Sequence, residues 1–184
     1  MGFYTLKVAG LERQLPKVKI NDKLSIASFV MFGDTELIEK CSEAIYNHVD
    51  FPLEEIDILV CPEAKAIPLT HSLAVRSGLN YVIARKSVKV YMIDPIIQKV
   101  QSITTLEDQN LVLDRIDVEN IVGKKVCIVD DVVSTGGSLN ALQILLEKIN
   151  CEVICKAAVL LEEAGYDKDD LLYLERLPIF PELE

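Results

Sequence analysis

The stretch whose reading decides the fold is Val126–Ser138, VCIVDDVVSTGGS. Apolar residues from Val126 to Val129 run straight into two adjacent carboxylates, Asp130 and Asp131, and then into a Ser-Thr-Gly-Gly-Ser turn. A short continuous apolar run bounded by a turn reads as a strand buried on both faces. Beyond the turn the pattern predicts a helix from Gly137 to about Asn150. A helix N-terminus offers unpaired N–H groups and a partial positive charge. Gly136 and Gly137 let the backbone curl close to a ligand, and Ser134, Thr135 and Ser138 add hydroxyls, so the turn predicts a nest for a phosphate monoester. Asp130 and Asp131 are acceptors suited to a vicinal diol or to magnesium-bound water. A ligand with sugar hydroxyls beside a phosphate satisfies both halves.

Working outward, Ile56–Cys61 (IDILVC), Tyr81–Lys86 (YVIARK) and Cys151–Leu161 (CEVICKAAVLL) read as further strands. Residues 34–48 place Leu37, Ile38, Cys41, Ala44, Ile45 and His48 at helical spacing behind Asp34 as N-cap. Ala66–Gly78 reads as a second helix ending at its glycine. This alternation predicts an α/β fold, a central mostly parallel sheet flanked by helices. Such sheets bind ligands beyond the carboxyl ends of their strands. Cys61–Ala66 (CPEAKA) and Asp130–Ser138 both fall there. Residues 87–114 alternate weakly and carry Pro95, predicting an antiparallel hairpin with a long connection around Asp94–Gln109, either a lid or a plain surface hairpin. The whole chain, 1–184, reads as one domain.

The bulk properties exclude several classes. The formal charge is −10, the wrong sign for a general nucleic-acid binder. No apolar run approaches the roughly 18 residues of a membrane span, and the opening MGFYTLKVAGLERQ lacks the apolar centre of a signal peptide, so a cytoplasmic protein without membrane contact is expected. The five cysteines form no CxxC pair and read as buried small hydrophobes in a reducing compartment; with two dispersed histidines, no structural zinc site is expected. Neither GxxxxGK[ST] nor GxGxxG occurs.

VCIVDDVVSTGGS resembles the phosphoribosyl pyrophosphate (PRPP) signature of the type I phosphoribosyltransferases. The resemblance covers roughly Leu15–Phe180, and its order and spacing are most similar to the adenine, xanthine and archaeal-type purine enzymes. CPEAKAIPL resembles the family's pyrophosphate loop, YVIARKSVK the strand carrying cations to the diphosphate, SITT the returning end of a flexible catalytic loop, and RLPIF a short hood segment. The resemblance implies that Asp130 and Asp131 hold the ribose hydroxyls and that Val133, Ser134, Thr135, Gly136, Gly137 and Ser138 hold the 5-phosphate. It implies a pyrophosphate loop of Glu63, Ala64 and Lys65, with Arg85, Lys86 and Lys89 neutralising the diphosphate, and it places Asp130, Asp131 and Arg85 in catalysis. Magnesium is expected on the PRPP oxygens rather than on a metal site of the protein, and a homodimer is expected. Residues 1–33 become a segment covering the base, 87–114 the flexible loop hairpin, and 162–184 the hood and tail. Phe29 reads either as a stacking partner for a purine or as a core aromatic.

The implied reaction joins a free purine to PRPP, releasing diphosphate. Adenine leads, giving AMP, with hypoxanthine, guanine or xanthine as alternatives. An orotate enzyme is disfavoured by the PEAKAIPL and SITT contexts, and a non-catalytic PRPP sensor is the reading from a different class. One departure motivates the sensor. Where adenine enzymes carry a glutamate in a TLEI-like strand, this chain has NLVLD with Val112 at that position, and the nearby Glu107 reads as a solvated loop acid. Where they carry Arg-Gly-Phe after EA, it has KAI.

Overall fold

The computed structural model describes residues 2–100 and 109–181. The chain opens with strands β1 (Phe3–Val8), β2 (Leu11–Asn21) and β3 (Leu24–Ala27), followed by helix α1 (Thr35–Tyr46). Then come β4 (Ile58–Pro62), α2 (Ile67–Ser77) and β5 (Asn80–Ala84), a hairpin of β6 (Ile96–Val100) and β7 (Gln109–Leu113), and α3 (Arg115–Ile121). The last part is β8 (Lys125–Val133), α4 (Gly137–Glu147), β9 (Glu152–Glu162), β10 (Leu172–Leu177) and β11 (Ile179–Pro181).

Strands β10, β9, β8, β4 and β5, in that order, make the central sheet, and every pairing in it is parallel. The strand at its centre shows why. Val126, Cys127, Ile128 and Val129 are each wholly buried, which a strand achieves only when both faces are covered. Cys127 and Val129 enter a core with Leu37, Cys41, Leu69 and Leu73 of α1 and α2. Val126 and Ile128 enter the opposite core with Ile121 of α3 and Leu142 and Leu145 of α4. Strand period and helix spacing thus meet at one layer boundary. Asp34 caps α1 by accepting from the Leu37 N–H at 3.0 Å. Gly78 ends α2 in the left-handed region at φ +72°. Among the described residues no helix is long and apolar enough to cross a membrane.

The antiparallel excursion expected over 87–114 is present as the β6–β7 hairpin, in register from Ile96↔Leu113 to Val100↔Gln109. It hangs on the end of β5, where Arg85 and Val112 exchange both backbone hydrogen bonds at 2.8 Å. The SITT segment and Glu107 lie outside the described residues.

Three elements go beyond the sequence reading. The N-terminal segment is a meander, β1–β2–β3, joined antiparallel by β11 into a four-stranded sheet, the hood. Its first turn, Ala9–Gly10, has φ of +51° and +76°, the primed geometry that matches strand twist. These strands are half exposed and carry Lys7, Glu12, Arg13, Lys17 and Lys19 among their apolar residues, so their alternation is diluted. Helix α3 is a short bridge between hairpin and β8. Strand β10 extends the parallel sheet through the region read as tail.

Candidate active site

The carboxyl ends of β4 and β8 lie side by side because the two strands pair directly, Ile58↔Val126 to Val60↔Ile128. Each then runs into its loop at the same edge of the sheet. A cleft of about 190 Å³ there is lined by Glu63, Ala64 and Lys65 from the loop after β4, Lys86 after β5, Asn110 from β7, and Asp130, Asp131 and Ser138. Residues from four separate stretches of sequence thus converge on one space.

The paired acids lie deep in it. Asp130 and Asp131 are 8 % and 6 % exposed. The Asp131 N–H donates to Asp130 Oδ1 at 2.8 Å, while Asp131 Oδ2 is buried and accepts from no group among the described residues. A buried acceptor left open normally has a partner, so this oxygen marks a place for a donor from a ligand. Burial pushes the Asp130 carboxyl well above the usual carboxylate range, and its acidic neighbour adds to this. Burial also raises Asp131. The Lys65 charge draws both back towards ionisation. A cation or a ligand hydroxyl in the cleft would do the same.

Glu63 lines the same cleft and makes three contacts with the end of β5. Its Oε2 accepts from the Lys86 N–H at 2.9 Å and its Oε1 lies 3.7 Å from Arg85 Nη1. Its own N–H donates to the Ala84 carbonyl at 2.8 Å, tying the loop after β4 to the end of β5. Glu63 therefore holds the Lys86 backbone and pairs with Arg85, which does not itself line the cleft. Lys89 is placed differently, with its Nζ donating to Ser87 Oγ at 2.7 Å.

The turn after β8 is divided between two cavities. Gly136 adopts φ +79° as the N-cap of α4, with no side-chain cap, so the first amide groups of the helix are left for another acceptor. Ser138 faces the cleft of the acids, while Thr135, Gly136 and Gly137 line a neighbouring cavity with Asn140 and Tyr166. Val133 is buried beneath the turn.

Two further positions were open in the sequence. Phe29 is 4 % exposed and packs in the core with Leu37 and Leu69, the alternative to stacking on a base; Val30 and Phe32 are the exposed side chains of that segment. Val112, at the position of the adenine enzymes' glutamate, is wholly buried. Asn110, two residues earlier on the same strand, lines the cleft. Sequence reasoning missed it because the register of β7 was not readable from its own residues.

The model of the phosphoribosyl transferase domain matches residues 33–177. The chain belongs to the phosphoribosyl transferase family. The type I resemblance drawn from VCIVDDVVSTGGS, with its purine branch, holds. This family member is 33 % identical over 118 residues to a hypoxanthine/guanine phosphoribosyltransferase of Methanothermus fervidus, a match covering 64 % of this chain and 59 % of that relative. It is 31 % identical over 133 residues to an adenine phosphoribosyltransferase of Thermotoga sp. strain RQ2, covering 70 % of this chain and 75 % of the relative. The fold superposes with a TM-score of 0.73 on an adenine phosphoribosyltransferase of Thermoanaerobacter pseudethanolicus, at 18 % identity, over 88 % of this chain and 95 % of that one. The meander β1–β3 lies ahead of the matched family region.

Proposed function

We propose that the chain transfers a phosphoribosyl group from PRPP to the ring nitrogen of a free purine, releasing diphosphate, with adenine as the acceptor base. The observation that carries this reading is the buried Asp130–Asp131 pair with its open Oδ2, facing Lys65 and Lys86 across one cleft and followed directly by the α4 turn. The acids accept from the ribose hydroxyls, and the Ser134–Ser138 turn holds the 5-phosphate. Glu63, Ala64 and Lys65, with Arg85 and Lys86, receive the diphosphate. As the bond from the anomeric carbon to the diphosphate oxygen breaks, negative charge builds on the leaving group, and fixed cations and backbone donors aimed at it lower the barrier.

Magnesium fits this site as a companion of the substrate. It would come in mainly on the PRPP oxygens, and Asp130 and Asp131 would accept from its bound water. When bound, the ion supplies charge neutralisation on the diphosphate. In a homodimer the cationic loop of one subunit would lie within reach of its partner's site; the exposed Val88, Val90, Tyr91 and Ile93 beside that loop support such an assembly.

The hypoxanthine/guanine relative supports a second acceptor class, the 6-oxopurines. The deciding experiment is diphosphate release from PRPP and magnesium with adenine, hypoxanthine, guanine, xanthine and orotate supplied singly. Release with adenine alone establishes the reading. Release with hypoxanthine or guanine moves the acceptor to the 6-oxopurines. PRPP binding with silence for every base replaces the enzyme with a PRPP sensor.

A further inference from the structure

Gly136 is a glycine for two reasons. Its φ of +79° is one. The other comes from a distant part of the chain: a Cβ at this position would lie 2.3 and 2.6 Å from Cδ2 and Cε2 of Tyr166. The tyrosine ring is therefore seated against the bare backbone of the turn. Tyr166 belongs to the connection between β9 and β10. Its hydroxyl donates to Asp170 Oδ1 at 2.5 Å, and Asp170 Oδ2 accepts from Lys156 Nζ, also at 2.5 Å. Lys156 lies on β9 and is 7 % exposed. An ammonium group that deep in a sheet must be paired, so the pairing fixes Asp170 to the rigid part of the fold. The chain of contacts runs from the central sheet, through Lys156, Asp170 and Tyr166, to Gly136.

This matters for the turn itself. Ser134–Gly137 carries two adjacent glycines, the residues with most backbone freedom to lose on binding. No side chain caps α4 from within the turn. Donors that are already in place bind an anion without that ordering cost.

We propose that Tyr166, anchored by the Asp170–Lys156 pair, is a positioning residue that holds the turn at Gly136 in its phosphate-binding form. This rests on the reading of Ser134–Ser138 as the 5-phosphate site. The test is calorimetric binding of ribose 5-phosphate to the full chain and to its Tyr166→Phe and Tyr166→Ala variants, with diphosphate release measured at varied PRPP. Tyr166→Ala is expected to weaken ribose 5-phosphate binding by about tenfold, which is ~1.4 kcal/mol. KM for PRPP should rise with it, while KM for the base and kcat stay near native values. Tyr166→Phe keeps the ring and loses only its anchor, so a loss of about threefold is expected, the worth of one hydrogen bond. A ring that serves only packing would lower the melting temperature and leave the PRPP KM unmoved, and that outcome overturns the proposal. Should Tyr166→Ala fail to fold, native binding by Tyr166→Phe together with native binding by Asp170→Asn overturns it equally. A native chain that binds no ribose 5-phosphate overturns the phosphate-site reading itself, and with it the brace; native binding that survives Tyr166→Ala overturns the brace alone.

Discussion

Asp130→Asn should make the free protein more stable while abolishing turnover. In the ligand-free chain the two acids are buried side by side, and burial pushes both carboxyls up, Asp130 well above the usual range. Asparagine keeps the Oδ1 that accepts from the Asp131 N–H and removes the charge. Two unit charges about 4 Å apart at an effective dielectric constant of 20 interact by ~4 kcal/mol. Lys65 offsets part of the repulsion, and proton uptake by the pair relieves more. A net stabilisation of about 2 kcal/mol at pH 7.5 is therefore expected, close to 4–8 °C in melting temperature for a chain of this size. The pH dependence gives a second handle. A carboxyl raised in the folded state holds a proton that the unfolded chain releases. Its stabilising contribution is complete below the unfolded pKa of about 4 and is lost as the pH rises through the folded value. The native chain should melt progressively lower from pH 5 to pH 8, and the slope should flatten in Asp130→Asn. The assay is thermal unfolding followed by circular dichroism in the absence of PRPP, alongside diphosphate release. A variant that melts below the native chain at pH 7.5, or that keeps the native pH slope, would falsify the account of the acids as a strained pair held for a ligand.

Three other outcomes follow from the same structure. Gly136→Ala should cost about 1–2 kcal/mol from its left-handed backbone alone, with a further loss from the clash with Tyr166. Adding Tyr166→Ala should return the second part and not the first, and urea unfolding of the single and double variants separates the two. Asp34→Ala removes both the cap of α1 and the Arg13 ion pair and should lower stability by about 1–2 kcal/mol with no change in diphosphate release; a loss of turnover at unchanged folding would refute a purely structural Asp34. All five cysteines are free and buried, with burial pushing Cys41 and Cys61 up to about 12. Ellman's reagent at pH 8 should therefore find no fast thiol in the folded chain and five after denaturation; a fast native thiol would show that a buried element opens readily.

The central sheet was legible because its signals are local. An apolar run, paired acids and a Gly-Gly turn sit next to one another in Val126–Ser138, and the fold places them as strand, cleft and helix start. The helices α1 and α2 were legible for the same reason, through Asp34 and Gly78. The hood was not. Strands β1–β3 are half exposed with diluted alternation, and β11 joins them from the far end of the chain, a pairing that no local window contains.

The same division runs through the site. The sequence by itself singled out the residues proposed to carry the chemistry, because Asp130, Asp131 and the Ser134–Ser138 turn are contiguous and their bonding capacity belongs to their side chains and backbone. Tertiary structure alone decided which way neighbouring residues face. Phe29 turns into the core while Val30 and Phe32 turn out; Val112 is buried while Asn110 lines the cleft. Neither contrast follows from a strand period, because Phe29–Phe32 lies outside any strand and Asn110 and Val112 share one face of β7. Each, like the seat of Tyr166 on Gly136 from thirty residues away, is decided by the elements that pack against these residues.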